Sequence, residues 1–88
     1  MKKNEVEKII RDMIVAGARV PINIEEITEE SNLIRDLQYD SLGIISLISE
    51  LEQKFNISFN YKDIDFDSIM ILEGLLSMVA KYISIEKE

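Results

Sequence analysis

The chain has 88 residues and a formal net charge of −7, which is enough for one small domain and too little for two hydrophobic cores. It contains no cysteine and no histidine, which excludes a disulfide framework, thiolate chemistry, and the commonest general base and metal ligand. No apolar run approaches the ~20 residues that span a bilayer, and the N-terminus lacks the apolar core of a signal peptide. We therefore expect one domain over residues 1–88, located in the cytoplasm and not inserted in a membrane.

The acidic charge is concentrated in the middle of the chain. Residues 23–55 contain eight acidic and two basic side chains and carry −6 of the net charge. Such a field repels nucleic acid and favours basic protein surfaces. On charge alone, the simpler interpretation is favoured, in which acidic side chains keep a small domain soluble.

The first predicted helix begins after Asn4. Asn4 is a suitable cap, and Glu7 follows it three residues later, as in a capping box. Gly17 is a suitable end for this helix. Apolar residues recur between them at helical spacing, namely Val6, Ile9, Ile10, Met13 and Ile14.

From Ala18 to Asp40 the apolar residues follow no sustained period, and Pro21 cannot continue a helix. The segment nevertheless contains apolar residues at Ile22, Ile24, Ile27, Leu33 and Leu37. We predict a long ordered loop that these side chains attach to the core, with one helical turn over residues 31–35 capped by Ser31. A loop of this length is expected only where it is functional or has short structure of its own.

The strongest helical pattern runs from Ser41 to Phe55. At about 100° per residue, one stripe faces the core: Ile44, Leu47, Ile48, Leu51 and Phe55. A different side carries Leu42, Ile45 and Ser49, with Glu52 at its edge. Exposed apolar residues beside carboxylates suggest a docking surface, whereas the alternative is two isolated surface residues of the ordinary kind.

In the last third of the sequence we predict a short helical turn over residues 61–66 and a final helix capped by Asp67 or Ser68. Its apolar stripe comprises Ile69, Leu72, Leu76, Val79 and Ile83, widened by Leu75, Met78 and Tyr82. Gly74 inside it marks a close contact between helices, and residues 84–88 are expected to fray. The fold class is therefore all-α, a small four-helix bundle of three longer helices and one short one with a long first loop.

The spacing of Asp63, Asp65 and Asp67 is similar to the start of a calcium loop. Ser68 stands where that loop needs glycine, and Gly74 stands where it needs the closing glutamate. We therefore predict no metal site and assign these carboxylates to helix capping.

The chain offers little with which to activate a substrate, since it has no histidine, no glycine-rich phosphate loop and no metal-ligand spacing. Carrying or binding is favoured over catalysis, and no catalytic residue is predicted. A serine at a helix start is usually a cap. However, the same position suits a covalently attached phosphate, because the unpaired N–H groups and the helix dipole stabilise its charge.

The segment Leu37-Gln38-Tyr39-Asp40-Ser41-Leu42, followed by Leu47, Leu51-Glu52 and Phe55-x-Ile57, resembles the acyl carrier protein pattern. That pattern is Leu-Gly-x-Asp-Ser-Leu, then spaced Leu, Leu-Glu and Phe-x-Ile, and the resemblance covers essentially the whole chain. Gln38 replaces the usual glycine, and Tyr39 is bulkier than most residues at its position. Gly43 and Ser46 stand where fatty-acid-synthesis members have acids, which suggests a specialised stand-alone carrier.

The resemblance implies that Ser41 attaches 4′-phosphopantetheine, moved from coenzyme A by a phosphopantetheinyl transferase that uses magnesium. The arm would carry acyl or aminoacyl groups as thioesters to acyl-loading, condensing or acyl-transfer enzymes of fatty-acid, polyketide or related biosynthesis. Docking to basic and apolar patches on these enzymes would use Asp40, Leu42, Ile45, Ser49, Glu50 and Glu52. A monomer that is not itself an enzyme and binds no nucleic acid is expected.

Two alternatives remain open at this point. One is an aminoacyl, D-alanyl or peptidyl carrier, although Asp40 stands where peptidyl carriers commonly have histidine and so favours the acyl class. The other is a non-covalent acidic helical adaptor that docks through Leu42 and Ile45. Cargo and pathway depend on which enzymes recognise the chain.

Overall fold

A computed structural model describes residues 2–83. Within this range the chain forms helices α1 (Lys3–Gly17), α2 (Ser41–Phe55), α3 (Phe66–Ile69) and α4 (Leu72–Tyr82). Two 3-10 turns cover Ile24–Glu26 and Tyr61–Asp63. The predicted architecture of three longer helices and one short helix is confirmed, whereas the predicted fraying of 84–88 lies outside the described residues.

Helix α1 begins two residues earlier than its capping pattern predicts. Its cap is Lys2, which makes no side-chain capping hydrogen bond, and Asn4 lies inside the first turn. The prediction that Asn4 caps this helix is therefore wrong. The predicted end at Gly17 is confirmed, because the next residue, Ala18, has extended backbone angles.

The long first loop is ordered because it attaches to the core and to α4. Ile27, Leu33 and Leu37 are buried. The backbone carbonyls of Ser31 and Glu29 accept hydrogen bonds from the N–H groups of Leu72 (3.0 Å) and Glu73 (2.9 Å). Helix α4 has no side-chain cap, so the loop satisfies N–H groups that would otherwise lack acceptors.

The turn predicted over residues 31–35 is present with a different cap. Asn32 Oδ1 accepts hydrogen bonds from the N–H groups of Ile34 and Arg35. The Ser31 hydroxyl instead accepts from the Thr28 N–H. The prediction of Ser31 as the cap is therefore wrong by one residue.

The predicted final helix is divided into α3 and α4. Asp65 Oδ1 caps α3 by accepting hydrogen bonds from Asp67 and Ser68, which confirms a capping role for this acidic cluster but moves the cap to Asp65. The two helices pack so closely that a Cβ atom on Gly74 would overlap the Ser68 carbonyl. The close contact predicted at Gly74 is confirmed, and a larger residue would require the helices to separate.

Helix α1 packs against α2, and α3 packs against α4, around an aliphatic core. The largest fully buried side chains come from the three long helices and the first loop: Ile10, Ile14, Leu33, Leu37, Ile48, Leu51, Leu72, Leu75 and Val79. None of the helices between residues 2 and 83 combines the length and the apolar character that crossing a membrane requires.

Candidate attachment site at the start of helix α2

Ser41 is the first residue of α2, but Asp40 is the residue that caps the helix. Asp40 has extended backbone angles, and its Oδ1 accepts a hydrogen bond from the Gly43 N–H at 2.7 Å. Ser41 is exposed, and its hydroxyl group bonds to no other residue within 2–83. The ordinary capping role of a serine at a helix start is thus performed by its neighbour, which leaves the Ser41 hydroxyl available for modification.

The turn that leads to Ser41 is made without glycine. Gln38 has a φ of 57°, in the left-handed region. Its N–H donates to the Ile34 carbonyl at 3.1 Å, and the Tyr39 N–H donates to the Leu33 carbonyl at 2.9 Å. A left-handed conformation costs a non-glycine residue about 1–2 kcal/mol. These hydrogen bonds and the burial of Tyr39 offset that cost.

Tyr39 fixes the start of α2 against the end of α1. Its hydroxyl donates a 2.8 Å hydrogen bond to the Ile14 carbonyl, while the Ala18 N–H bonds to Val15 instead. A Cβ atom on Gly17 would meet the Tyr39 hydroxyl, and one on Gly43 would lie 3.1 Å from the ring. Burial raises the pKa of the Tyr39 phenol to about 12, and the negative charge of Glu50 adds to this effect.

Arg19, in the loop that follows α1, pairs with the capping carboxylate. Its guanidinium lies 2.7 Å from Asp40 Oδ2, while Asp40 Oδ1 bonds to Gly43. Both oxygens of Asp40 are therefore occupied inside the protein. The carboxylate nearest to Ser41 in the chain is thus already partly neutralised.

The two faces predicted for α2 are confirmed. Ile44, Leu47, Ile48 and Leu51 are buried. Leu42 and Ile45 keep 73% and 53% of their surfaces exposed, and Ser49 and Glu50 are also exposed. Leu42, Ile45 and Ser49 recur at helical spacing and form one strip that leads away from Ser41, whereas Glu50 lies about 80–140° around the helix from them at about 100° per residue. We call Leu42, Ile45 and Ser49 the outer strip.

Glu52 lies apart from the outer strip in its contacts. It is half-buried, its Oε2 accepts the Phe59 N–H at 2.8 Å, and its Oε1 accepts the Tyr61 hydroxyl at 3.2 Å. This carboxylate therefore holds the segment that follows α2. Its hydrogen bonds give Glu52 a structural role that the motif did not reveal.

Comparison with known proteins agrees with this geometry. A family model described as a phosphopantetheine attachment site matches residues 10–76. The chain belongs to this family. Its similarity to the acyl carrier protein of Buchnera aphidicola is 31% identity over 89% of this chain and 95% of that protein. The acyl carrier protein of Coprothermobacter proteolyticus is 32% identical over 85% of this chain and 90% of its own length.

A shorter match has a higher identity: the acyl carrier protein of Wolinella succinogenes is 42% identical over 54% of this chain and 60% of its own length. Acyl carrier proteins carry covalently attached 4′-phosphopantetheine, and the resemblance to them is confirmed. The start of α2 fits this group, because it presents an exposed hydroxyl beside first-turn N–H groups that have no intrahelical acceptor.

The sequence motif did not identify two residues that shape this site. Tyr39 was recognised only as bulky, and Arg19 was not a candidate. The ring of Tyr39 occupies space that two glycines leave, and its partner Ile14 lies 25 positions away. A contact between residues this far apart in the sequence cannot be recognised from the local spacing of residues.

Proposed function

We propose that Ser41 is the residue that attaches 4′-phosphopantetheine, and that the protein carries acyl groups as thioesters to partner enzymes. The observation that carries this proposal is the exposed Ser41 hydroxyl, which has no partner within 2–83 because Asp40 caps the helix. Ser41 also lies inside the span that the family model matches. The chain has no cysteine, and the arm supplies the thiol on which the thioester forms.

Attachment requires a separate enzyme. The Ser41 oxygen bonds to the phosphorus next to the pantetheine, the bond from that phosphorus to adenosine bisphosphate breaks, and the leaving group keeps the bonding electrons. The serine proton passes to a base of a magnesium-dependent phosphopantetheinyl transferase, because no histidine occurs in the chain. The protein is in this proposal a carrier with no catalytic activity of its own.

Partner enzymes dock on the outer strip and the adjoining acids, which together include Asp40, Leu42, Ile45, Ser49, Glu50 and Glu52. The exposed surfaces of Leu42 and Ile45 favour an apolar patch on the partner, and Glu50 favours a basic residue beside it. Asp40 and Glu52 contribute less than the outer strip, since their oxygens already accept internal bonds. The partners are acyl-loading, condensing or acyl-transfer enzymes, which meet a monomeric carrier in the cytoplasm.

The attachment is tested by incubation with coenzyme A, magnesium and a broad-specificity phosphopantetheinyl transferase, followed by intact mass measurement. We expect the mass of one phosphopantetheine group to be added to the unaltered chain and none to Ser41→Ala. Ser46→Ala is the matched control, because Ser46 is another exposed serine of the same helix. Equal modification of Ser41→Ala, or no modification of any form, would refute the proposal.

The same samples distinguish the other functions. A non-covalent adaptor would bind its partners equally well as unmodified protein and as Ser41→Ala. For a carrier, acyl transfer to partner enzymes requires the modified form. Loading assays with acyl-coenzyme A, amino acids and D-alanine then assign the cargo, and we expect acyl groups of fatty-acid, polyketide or related biosynthesis.

A further inference from the structure

The ion pair between Arg19 and Asp40 differs from the other ion pairs of the described chain. Within residues 2–83, the other three join side chains no more than four positions apart. Arg19 and Asp40 are 21 positions apart and lie in different segments, at 2.7 Å. The pair therefore places a cation from the first loop beside the residue that precedes Ser41.

Attachment of the arm changes the charge at this place. A phosphodiester on Ser41 adds one negative charge to the residue next to the Asp40 carboxylate. The first turn of α2, Ser41–Ile44, contains neither an acidic nor a basic side chain. Repulsion between the two anions is therefore offset by the helix dipole and by the cation that already contacts Asp40.

The guanidinium of Arg19 is suited to bind both anions. It has five N–H donors in a planar fork that matches carboxylate and phosphate oxygens. Its contact with Asp40 uses one of its terminal nitrogens, and its side chain keeps 61% of its surface exposed. The remaining donors are thus accessible to a second anion.

We propose that Arg19 binds the phosphodiester of the arm, so that its guanidinium bridges the Asp40 carboxylate and the phosphate on Ser41. This inference rests on the proposed attachment at Ser41. It makes Arg19 a binding residue that holds the base of the arm over the start of α2. It also explains why a cation from a distant loop segment is joined to the capping residue.

The test compares unmodified and phosphopantetheine-loaded forms of the unaltered chain, Arg19→Gln and Arg35→Gln. Arg35→Gln is the matched control, because Arg35 is an exposed loop arginine whose pair is its sequence neighbour Asp36. Loading is first verified by intact mass. The readouts are the phosphorus-31 chemical shift of the loaded protein and the difference in melting temperature between loaded and unmodified forms.

We expect Arg19→Gln to shift the phosphorus-31 signal and to lower the melting temperature of the loaded form by a few degrees more than that of the unmodified form. Arg35→Gln should leave both readouts as in the unaltered chain. Arg19→Lys, which keeps the charge and loses the fork, should show a smaller loss. Equal destabilisation of loaded and unmodified Arg19→Gln, with an unchanged phosphorus signal, would overturn the inference while the attachment at Ser41 stands. Failure of the unaltered chain to load would instead refute the proposed function and this inference with it.

Discussion

At the scale of single residues, Tyr39 connects the last turn of α1 to the first turn of α2. Its hydroxyl donates a hydrogen bond to a backbone carbonyl near the end of α1. Its ring lies against Gly43, two residues beyond Ser41. Tyr39 is 4% exposed. The orientation of the Ser41 segment therefore depends on a side chain that takes no part in the attachment chemistry.

Removal of the Tyr39 hydroxyl is predicted to destabilise the protein. Tyr39→Phe keeps the ring but leaves the Ile14 carbonyl without this donor, so we expect a loss of about 1–3 kcal/mol in the free energy of unfolding at neutral pH. Urea unfolding followed by circular dichroism measures the loss. Tyr61→Phe is the control, since its bond to Glu52 is exposed and its loss should cost less.

The stabilisation by the Tyr39 hydroxyl is also predicted to depend on pH. The folded-state pKa of Tyr39 is raised to about 12 from an ordinary value of 10.0. The protonated phenol is thus favoured by folding, and its contribution is complete below pH 10 and is lost as the pH rises toward 12. The difference in stability between the unaltered chain and Tyr39→Phe should therefore narrow above pH 10. A difference that stays constant from pH 7 to pH 11 would contradict this assignment.

At the same scale, the residues around Ser41 show what the motif could and could not predict. The motif identified Ser41 and Asp40, and the replacement of glycine by Gln38 predicted a turn made without glycine, which its positive φ confirms. The roles of Tyr39, Arg19 and Glu52 were missed. Each depends on a partner that only the folded chain brings near, such as Phe59 for Glu52 and Asp40 for Arg19.

At the scale of the element, α2 separates a buried face from an exposed face along the same helix. Periodicity predicted both faces, because fifteen residues of helix repeat the apolar pattern often enough to fix its phase. The short α3 was not predicted as a separate helix, because its residues were assigned to the start of the final helix. Four residues are too few to show a helical period. The helix ends before Ile71, which has extended backbone angles and pairs with Asn32 of the first loop.

The two faces of α2 are predicted to differ in their contribution to stability. Leu47→Ala should cost about 2–5 kcal/mol in the free energy of unfolding, because it leaves a cavity in the core. Ile45→Ala should cost much less, since 53% of Ile45 is already exposed. The comparison is made by thermal unfolding of the two variants. Both truncate a large apolar side chain of the same helix to alanine.

The outcome for Ile45 also bears on docking. A large thermal destabilisation by Ile45→Ala would contradict its assignment to the outer strip. If the variant is stable and loads normally but transfers its acyl group poorly to a partner enzyme, the outer strip is the docking surface that we propose. Normal transfer by a stable Ile45→Ala would instead exclude Ile45 from docking.

At the scale of the whole molecule, the structure combines an acidic segment with a loop that must lie close to the core. The loop residues Glu25, Glu26, Glu29 and Glu30 are exposed, and none of them takes part in an ion pair within residues 2–83. The backbone of the same loop satisfies the start of α4 through Glu29 and Ser31. Folding therefore holds several like charges near one another, at a cost in free energy.

Salt is accordingly predicted to stabilise the protein. From about 10 mM to about 150 mM sodium chloride, the screening length falls from about 30 Å to about 8 Å, so repulsion among these carboxylates weakens. Salt also weakens the exposed pairs such as Lys8–Asp12, but such pairs contribute only about 0–1 kcal/mol each. We expect the melting temperature to rise over this range, and magnesium to raise it further. The double variant Glu29→Gln with Glu30→Gln should melt higher at low salt and respond less to added salt, because two of the repelling charges are absent. An unchanged melting temperature of the unaltered chain across this range would show that repulsion within the acidic loop does not limit its stability.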